Sequence, residues 1–215
     1  KEKFKRFIDR TQILKSPDLQ LDEVGNPINF KWNKCKLETV SFGHGITTTP
    51  LQAVTVYASL SNGGKIIKPN LIKNTKKNKT KRLISEKTSL EIVNILRKVV
   101  TDKAGTASLA DIDGYYVGGK TGTSQNYENK NENLNTFISI FPSHKPKYAL
   151  LVMLENPKIA KDLIYDYRGL KIKGTRNEAG WNSVYVAGKI IEKIGPILAI
   201  KSKDFNNHYV AENIN

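Results

Sequence analysis

The chain has 215 residues, 39% of them hydrophobic, with seven Phe, nine Tyr and two Trp, which suits one large domain or part of a larger protein with a real core. Its 35 basic and 20 acidic residues give a net charge of +15, which invites a nucleic-acid reading. Lys far outnumbers Arg, Asn is abundant and no basic helix is studded with aromatics, so a solvated Lys-rich surface is preferred and no nucleic-acid partner is expected.

Residues 1–14 carry apolar side chains at Phe4, Phe7, Ile8 and Ile13, the spacing of an amphipathic helix end. Residues 16–31 hold Pro17, Gly25 and Pro27 among polar residues and read as loop. Residues 37–41 lead into Ser41-Phe42-Gly43-His44-Gly45, a turn with two glycines. A helix then starts at Thr49-Pro50-Leu51-Gln52: Thr49 as N-cap, Pro50 at the first helical position, Gln52 completing a capping box. Leu51, Val54, Ala58 and Leu60 form its predicted buried face, and Gly63-Gly64 ends it. Residues 65–72 read as a short extended piece broken by Pro69. The basic run 73–82 admits two readings, an anionic-polymer site or a solvated loop, and the second is preferred.

Ser85 caps a second helix to about Val100, with Leu90, Val93, Leu96, Val99 and Val100 on one side. Residues 101–110 are small and polar. Residues 115–124 read as a strand that begins at two Tyr and a Val and runs into Lys120-Thr121-Gly122-Thr123-Ser124. Residues 125–135 read as loop; 136–141 and 148–154 are two further strands, antiparallel across the short turn 142–147. Residues 159–179 have no steady period and stay unassigned. A last helix over 183–200 buries Val186, Ile190, Ile191, Ile194 and Leu198, with Gly195-Pro196 as a candidate kink. Residues 201–215 read as a polar tail.

The Lys-Thr-Gly-Thr tetrad carries the chemistry. Thr121 and Thr123 lie two apart, so both hydroxyls leave one face of a strand. Gly122 between them lets another backbone approach, and the Thr123 N–H can form half of an oxyanion hole. Lys120 can hold a proton or an anion beside a nucleophile. The lysine and both hydroxyls are expected to line one groove where a peptide's terminal carboxylate docks. Read alone, the triplet also fits an exposed Lys and a glycine bulge on an edge strand. Cys35, the only cysteine, allows no internal disulfide, and His44, His144 and His208 stand at no metal-ligand spacing, so neither metal nor cofactor is expected. No apolar run approaches a membrane span and no signal peptide is seen. The chain opens on Lys1-Glu2-Lys3-Phe4 and reads as a segment of something longer.

Taken together, the motifs resemble the transpeptidase domain of class B penicillin-binding proteins. Lys-Thr-Gly is the third motif of that family, preceded here by Gly105-Thr106-Ala107. Ser41-Phe42-Gly43-His44-Gly45, Thr49-Pro50-Leu51-Gln52 and Ser61-Asn62-Gly63-Gly64 resemble the turn and helix between its second and third motifs, in a wording closer to the septal, FtsI-like branch. The resemblance covers residues 1–200. It implies an α+β fold of the serine β-lactamase/transpeptidase type, an antiparallel sheet with terminal helices on one face. Two of five strands and the N-terminal part of the fold are expected upstream, which leaves the apolar strand 148–154 with an unpaired edge and the isolated chain poorly soluble.

The resemblance further implies a peptidoglycan D,D-transpeptidase in cell-wall cross-linking at division, anchored upstream in the bacterial inner membrane on its periplasmic face. Its ligands are D-Ala–D-Ala stem peptides and β-lactams, and cell-division proteins are expected partners. Lys120 and Thr123 take catalytic roles, Lys120 charging the second-motif serine and attracting the carboxylate, the Thr123 N–H holding the oxyanion. Thr121, Gly122 and Thr123 bind substrate. His44 is read as scaffold. Two departures stand out: no Ser-x-x-Lys spacing occurs in the 215 residues, and Ser-x-Asn occurs only as Ser124-Gln125-Asn126, directly behind the third motif. A catalytically inactive member of the family and a basic polymer-binding module therefore remain as alternatives.

Overall fold

A computed structural model describes residues 1–33, 35–72, 81–125 and 132–198, which divide into two units, Lys1–Ile92 and Val93–Asn215.

In the first unit, α1 (Glu2–Thr11) is the expected amphipathic helix, followed by a stretch without regular structure. Trp32 gathers this region, its ring meeting Phe4 edge-on at 6.4 Å and Phe30 at 4.9 Å. Residues that sequence reading left as a lead-in form a short helix, α2 (Lys36–Ser41), with the exposed thiol of Cys35 at its N-cap. Gly43 (φ 88°) and Gly45 (φ 73°) then make the expected turn, and His44 lies exposed over the Phe42 ring.

Helix α3 (Pro50–Ser61) starts where predicted: Thr49 Oγ1 accepts the Gln52 N–H at 3.2 Å and Pro50 occupies the first turn. The capping box is not completed as expected. The Gln52 amide instead donates to the carbonyls of Gln12 (2.7 Å) and Lys15 (3.0 Å), tying the chain after α1 to α3. The buried positions of α3 are Gln52, Val56, Ser59 and Ser61, whereas Leu51, Val54, Ala58 and Leu60 are half-buried. Polar side chains hold the buried face because each has a backbone partner: Ser59 Oγ accepts the Ile67 N–H and Ser61 Oγ donates to Tyr57 O. Gly64 follows at φ 79°, where a Cβ would stand 2.3 Å from the Ile84 carbonyl, so only glycine fits. Of the basic run 73–82, residues 73–80 lie outside the described residues; Lys65 and Arg82 bridge at its base.

Helix α4 (Glu86–Thr101) begins at Ser85, whose Oγ accepts the Thr88 N–H at 3.1 Å. Val93, Leu96 and Val100 are buried as predicted, but Leu90 is 60% exposed. Ser89 takes the inward place one residue earlier, donating to Leu60 O (2.5 Å) and accepting from Gly63 N (3.1 Å).

The second unit centres on an antiparallel sheet of β1 (Gly118–Gln125), β2 (Asn133–Phe141) and β3 (Tyr148–Glu155), in that order. Tyr115, Tyr116 and Val117 are not part of β1, contrary to expectation. Tyr116 sits at φ 47° in a turn after Gly114, and the ladder starts only at Gly118. The pleat sorts the sheet into two faces. One carries Phe137, Phe141, Tyr148, Leu150, Val152 and Leu154 against α5 (Ser183–Ile194). The other carries Gly118, Lys120 and Gly122, with the α4 backbone at Arg97 3.1 Å from where a Gly118 Cβ would stand.

The buried face of α5 is Ser183, Val184, Ala187, Gly188 and Ile191, one step round from the predicted stripe. Of that stripe only Ile191 is fully buried; Val186, Ile190, Ile194 and Leu198 pack at its margin. Small residues lead because α5 comes close, a Gly188 Cβ standing 2.7 Å from Leu109 O. The helix stops at Ile194, short of the predicted 200: Gly195 is its C-cap, still at helical φ and ψ, and residues 195–198 form a turn, Pro196 having no N–H to continue the ladder. The unassigned stretch 159–179 holds a hairpin, β4 (Ile164–Tyr167) with β5 (Leu170–Lys173), and a 3-10 turn follows at Ala179–Trp181. The predicted loop 125–135 is strand at both ends, Gln125 in β1 and 133–135 in β2, and its residues 126–131, the end of the Ser124-Gln125-Asn126 triplet and the predicted tail 201–215 lie outside the described residues.

Candidate functional site

The register of β1 decides where the four predicted site residues go. Thr121 pairs with Phe137 and Thr123 with Asn135, so both hydroxyls leave the face that α5 covers. Lys120 pairs with Ile138 and Gly122 with Thr136, on the opposite face. The lysine and the two hydroxyls therefore do not share one side, because residues one apart in a flat ladder alternate. Lys120 is exposed and its Nζ folds back to donate to Thr121 O at 2.8 Å. At Gly122 a Cβ would stand 2.5 Å from Thr136 Oγ1, which donates to the Gly122 carbonyl.

Thr121 and Thr123 open into a cleft of about 340 Å³ whose other walls include Thr106, Tyr167, Arg176 and Trp181. That volume lies at the lower end of small-ligand sites. Thr106 Oγ1 and Thr121 Oγ1 stand 2.9 Å apart and share a hydrogen bond, so the pair keeps one hydroxyl proton to offer. Thr123 Oγ1 accepts the Ala179 N–H at 3.4 Å, which turns its own proton outward.

The wall opposite β1 went unseen in the sequence. Trp181 stacks on Tyr167 (5.2 Å, 21°) and meets Tyr165 edge-on at 5.5 Å, while Tyr165 meets Tyr185 at 5.1 Å. Tyr165 is 3% exposed, which roots this aromatic row in the core. The Arg176 guanidinium lies over Trp181 at 5.6 Å. The Ser108 hydroxyl, then the guanidinium groups of Arg168 and Arg176, hold the Tyr167 phenol below its ordinary range against partial burial. Burial, with Tyr185 beside it, pushes the Tyr165 phenol up. Only Thr106 had a sequence signal, its place in Gly105-Thr106-Ala107.

Two other hollows are less suited. One of about 760 Å³ mixes Asp111, Asp113 and Asp166 with Arg168, Lys171 and Lys189, and two of its cations are already paired, Lys171 with Asp166 and Lys189 with Glu192. The other, about 140 Å³, lies within the first unit beside Gln52 and Ser59. Among the described residues no cluster of His, Cys, Asp and Glu could hold a metal, and no helix is long and apolar enough to cross a membrane.

Residues 1–176 match the family profile of the penicillin binding protein transpeptidase domain. The chain is 29% identical over 217 residues to a probable peptidoglycan D,D-transpeptidase FtsI of Caulobacter vibrioides, covering 94% of this chain and 35% of that protein. It is equally 29% identical to the stage V sporulation protein D of Bacillus subtilis, covering 94% of this chain and 32% of that protein. The chain thus spans about a third of the length of these relatives. Among solved structures, the transpeptidase domain of Burkholderia pseudomallei penicillin-binding protein 3 superposes with a TM-score of 0.74 at 18% identity, covering 91% of this chain and 57% of that one. A peptidoglycan synthetase of Bifidobacterium adolescentis gives a TM-score of 0.75 at 18% identity, over 93% of this chain and 37% of the other.

Proposed function

The chain belongs to the transpeptidase-domain family of penicillin-binding proteins, and on that premise we propose that it supplies the carboxylate-binding side of a peptidoglycan D,D-transpeptidase that cross-links cell wall at division. One observation carries the reading: two threonine hydroxyls leave one face of β1 side by side and open into a cleft of dipeptide size. In this reading the D-Ala–D-Ala carboxylate of a stem peptide, or the carboxylate of a β-lactam, docks on Thr121 and Thr123. Gly122 makes room for the Thr136 hydroxyl behind the strand, and the Thr123 N–H holds the oxyanion. Lys120, on the other face, serves the proton-transfer side of the chemistry. The acyl-enzyme step needs a serine nucleophile, and the 215 residues contain no Ser-x-x-Lys. The place of action is the periplasmic face of the inner membrane, with division proteins as partners.

The test is a titration of the 215-residue chain with a peptide ending in D-Ala–D-Ala, followed by NMR. Saturable shifts along β1 are expected, and Thr121→Val and Thr123→Val should each weaken binding by about 1 kcal/mol, the net value of one hydrogen bond. Equal binding of a peptide ending in L-Ala–L-Ala, or threonine variants that bind as before, would sink the reading. The missing Ser-x-x-Lys favours a second reading, in which the chain binds but never acylates. Fluorescent penicillin separates the two: the 215 residues alone should stay unlabelled under both, whereas a full transpeptidase domain carrying them should be labelled under the first reading only.

A further inference from the structure

We propose that Arg176 is the cationic partner of the ligand carboxylate in the Thr121–Thr123 cleft and so determines its preference for a free carboxylate; this rests on the reading just given. With Lys120 turned to the opposite face of β1, the charge at that cleft has to come from another element. The lining supplies one cation, Arg176. Arg176 forms no ion pair among the described residues, and its guanidinium carbon lies over Trp181 at 5.6 Å from the ring centroid, a contact that uses none of its N–H donors.

The backbone beside Arg176 is fixed in advance. The Asn177 carbonyl accepts from Asn135 Nδ2 (2.6 Å) and Asn182 Nδ2 (3.0 Å), and the Asn177 amide donates to Pro157 O (2.5 Å). Two residues on, the Ala179 N–H is tied to Thr123 Oγ1 itself, so the turn that carries Arg176 and the strand that carries the hydroxyls are bonded to each other. The point on the backbone from which Arg176 extends is therefore set before a ligand arrives, and ordering costs fall on the side chain alone. Glu178 also lines the cleft. Its carboxylate opposes any anion that enters, so the attraction of Arg176 has to outweigh it.

The experiment compares acetyl-L-Lys-D-Ala–D-Ala with the same peptide as its C-terminal amide, each titrated into the intact chain and its Arg176→Gln, Arg176→Lys and Thr123→Val variants. Arg176 is exposed, so these variants keep the fold, which circular dichroism checks. For Arg176→Gln we expect roughly tenfold weaker binding of the acid, the amide unchanged, and partial recovery in Arg176→Lys. A role limited to packing on Trp181 would weaken acid and amide alike, and that outcome overturns the proposal. Full acid affinity in Arg176→Gln with loss in Thr123→Val also overturns it, leaving the threonine site standing. If the unmodified chain does not distinguish acid from amide, the carboxylate site falls and Arg176's part falls with it.

Discussion

Two glycines of β1 test how tightly the site strand is packed. At Gly122 an added methyl meets Thr136 Oγ1 at 2.5 Å, a group that can rotate away at the loss of its bond to the Gly122 carbonyl. At Gly119 it meets the Ile138 carbonyl and the Phe137 ring at 2.6 Å; one is backbone and the other is fully buried, so neither yields. Gly119→Ala should therefore cost about 3 kcal/mol and Gly122→Ala about 1 kcal/mol, the two ends of the range for overpacking. In a chain this size each kcal/mol lowers Tm by about 2–4 °C. Adding Thr136→Ala to Gly122→Ala should recover part of the loss, seen as coupling in a double-mutant cycle. Strict additivity would mean that Thr136 is not the obstacle. At this scale the strand position of Thr121, Gly122 and Thr123 was legible, because the motif is contiguous and residues two apart share a face. Arg176 and Trp181 had no such mark. They reach the cleft only through the fold of a stretch without a period.

Among the elements, the hairpin β4–β5 shows why that stretch was unreadable. Its two turn residues, Arg168 and Gly169, take φ of 54° and 80°, the geometry of a type I′ turn that Asn-Gly usually signals. Arginine is tolerated there because its side chain has other work. It donates to the Thr101 and Asp102 carbonyls, which cap the C-terminus of α4 with a positive charge. Arg168→Asn keeps a residue suited to the turn and loses only the cap, whereas Arg168→Ala loses both. We expect about 0.5 kcal/mol for the first and about 1.5 kcal/mol for the second, read from thermal melts. Equal losses would show that the turn carries no strain. The capped helices α3 and α4 were legible from Thr49-Pro50 and Ser85, since a cap is a local hydrogen bond. Their inward faces were less so: Leu90 yields to Ser89, whose hydroxyl serves both Leu60 and Gly63. Ser89→Ala leaves those two groups unmatched and should cost about 1–3 kcal/mol, with Leu90→Ala, an exposed change, near zero.

At the scale of the molecule, charge and sheet edge act against each other. Among the described residues β3 pairs only with β2, so its outer rim of N–H and C=O groups is open, with Met153 40% exposed on the strand. Such an edge favours pairing with a second copy. The net charge of +15 opposes it, and the repulsion reaches about 10 Å at 0.1 M salt but only about 3 Å at 1 M. Self-association of the 215-residue chain should therefore grow as salt is raised, followed by sedimentation velocity at a fixed protein concentration. Placing one more charge on the edge, Met153→Lys, should suppress it with little change in Tm, because the position is solvent-facing. Polymer binding through the same charge has the opposite sign, since counterion release makes it weaken steeply with salt. An assembly that dissolves as salt rises would thus point to charge as the glue, and a chain monomeric at every salt would show that something other than charge already protects the β3 edge.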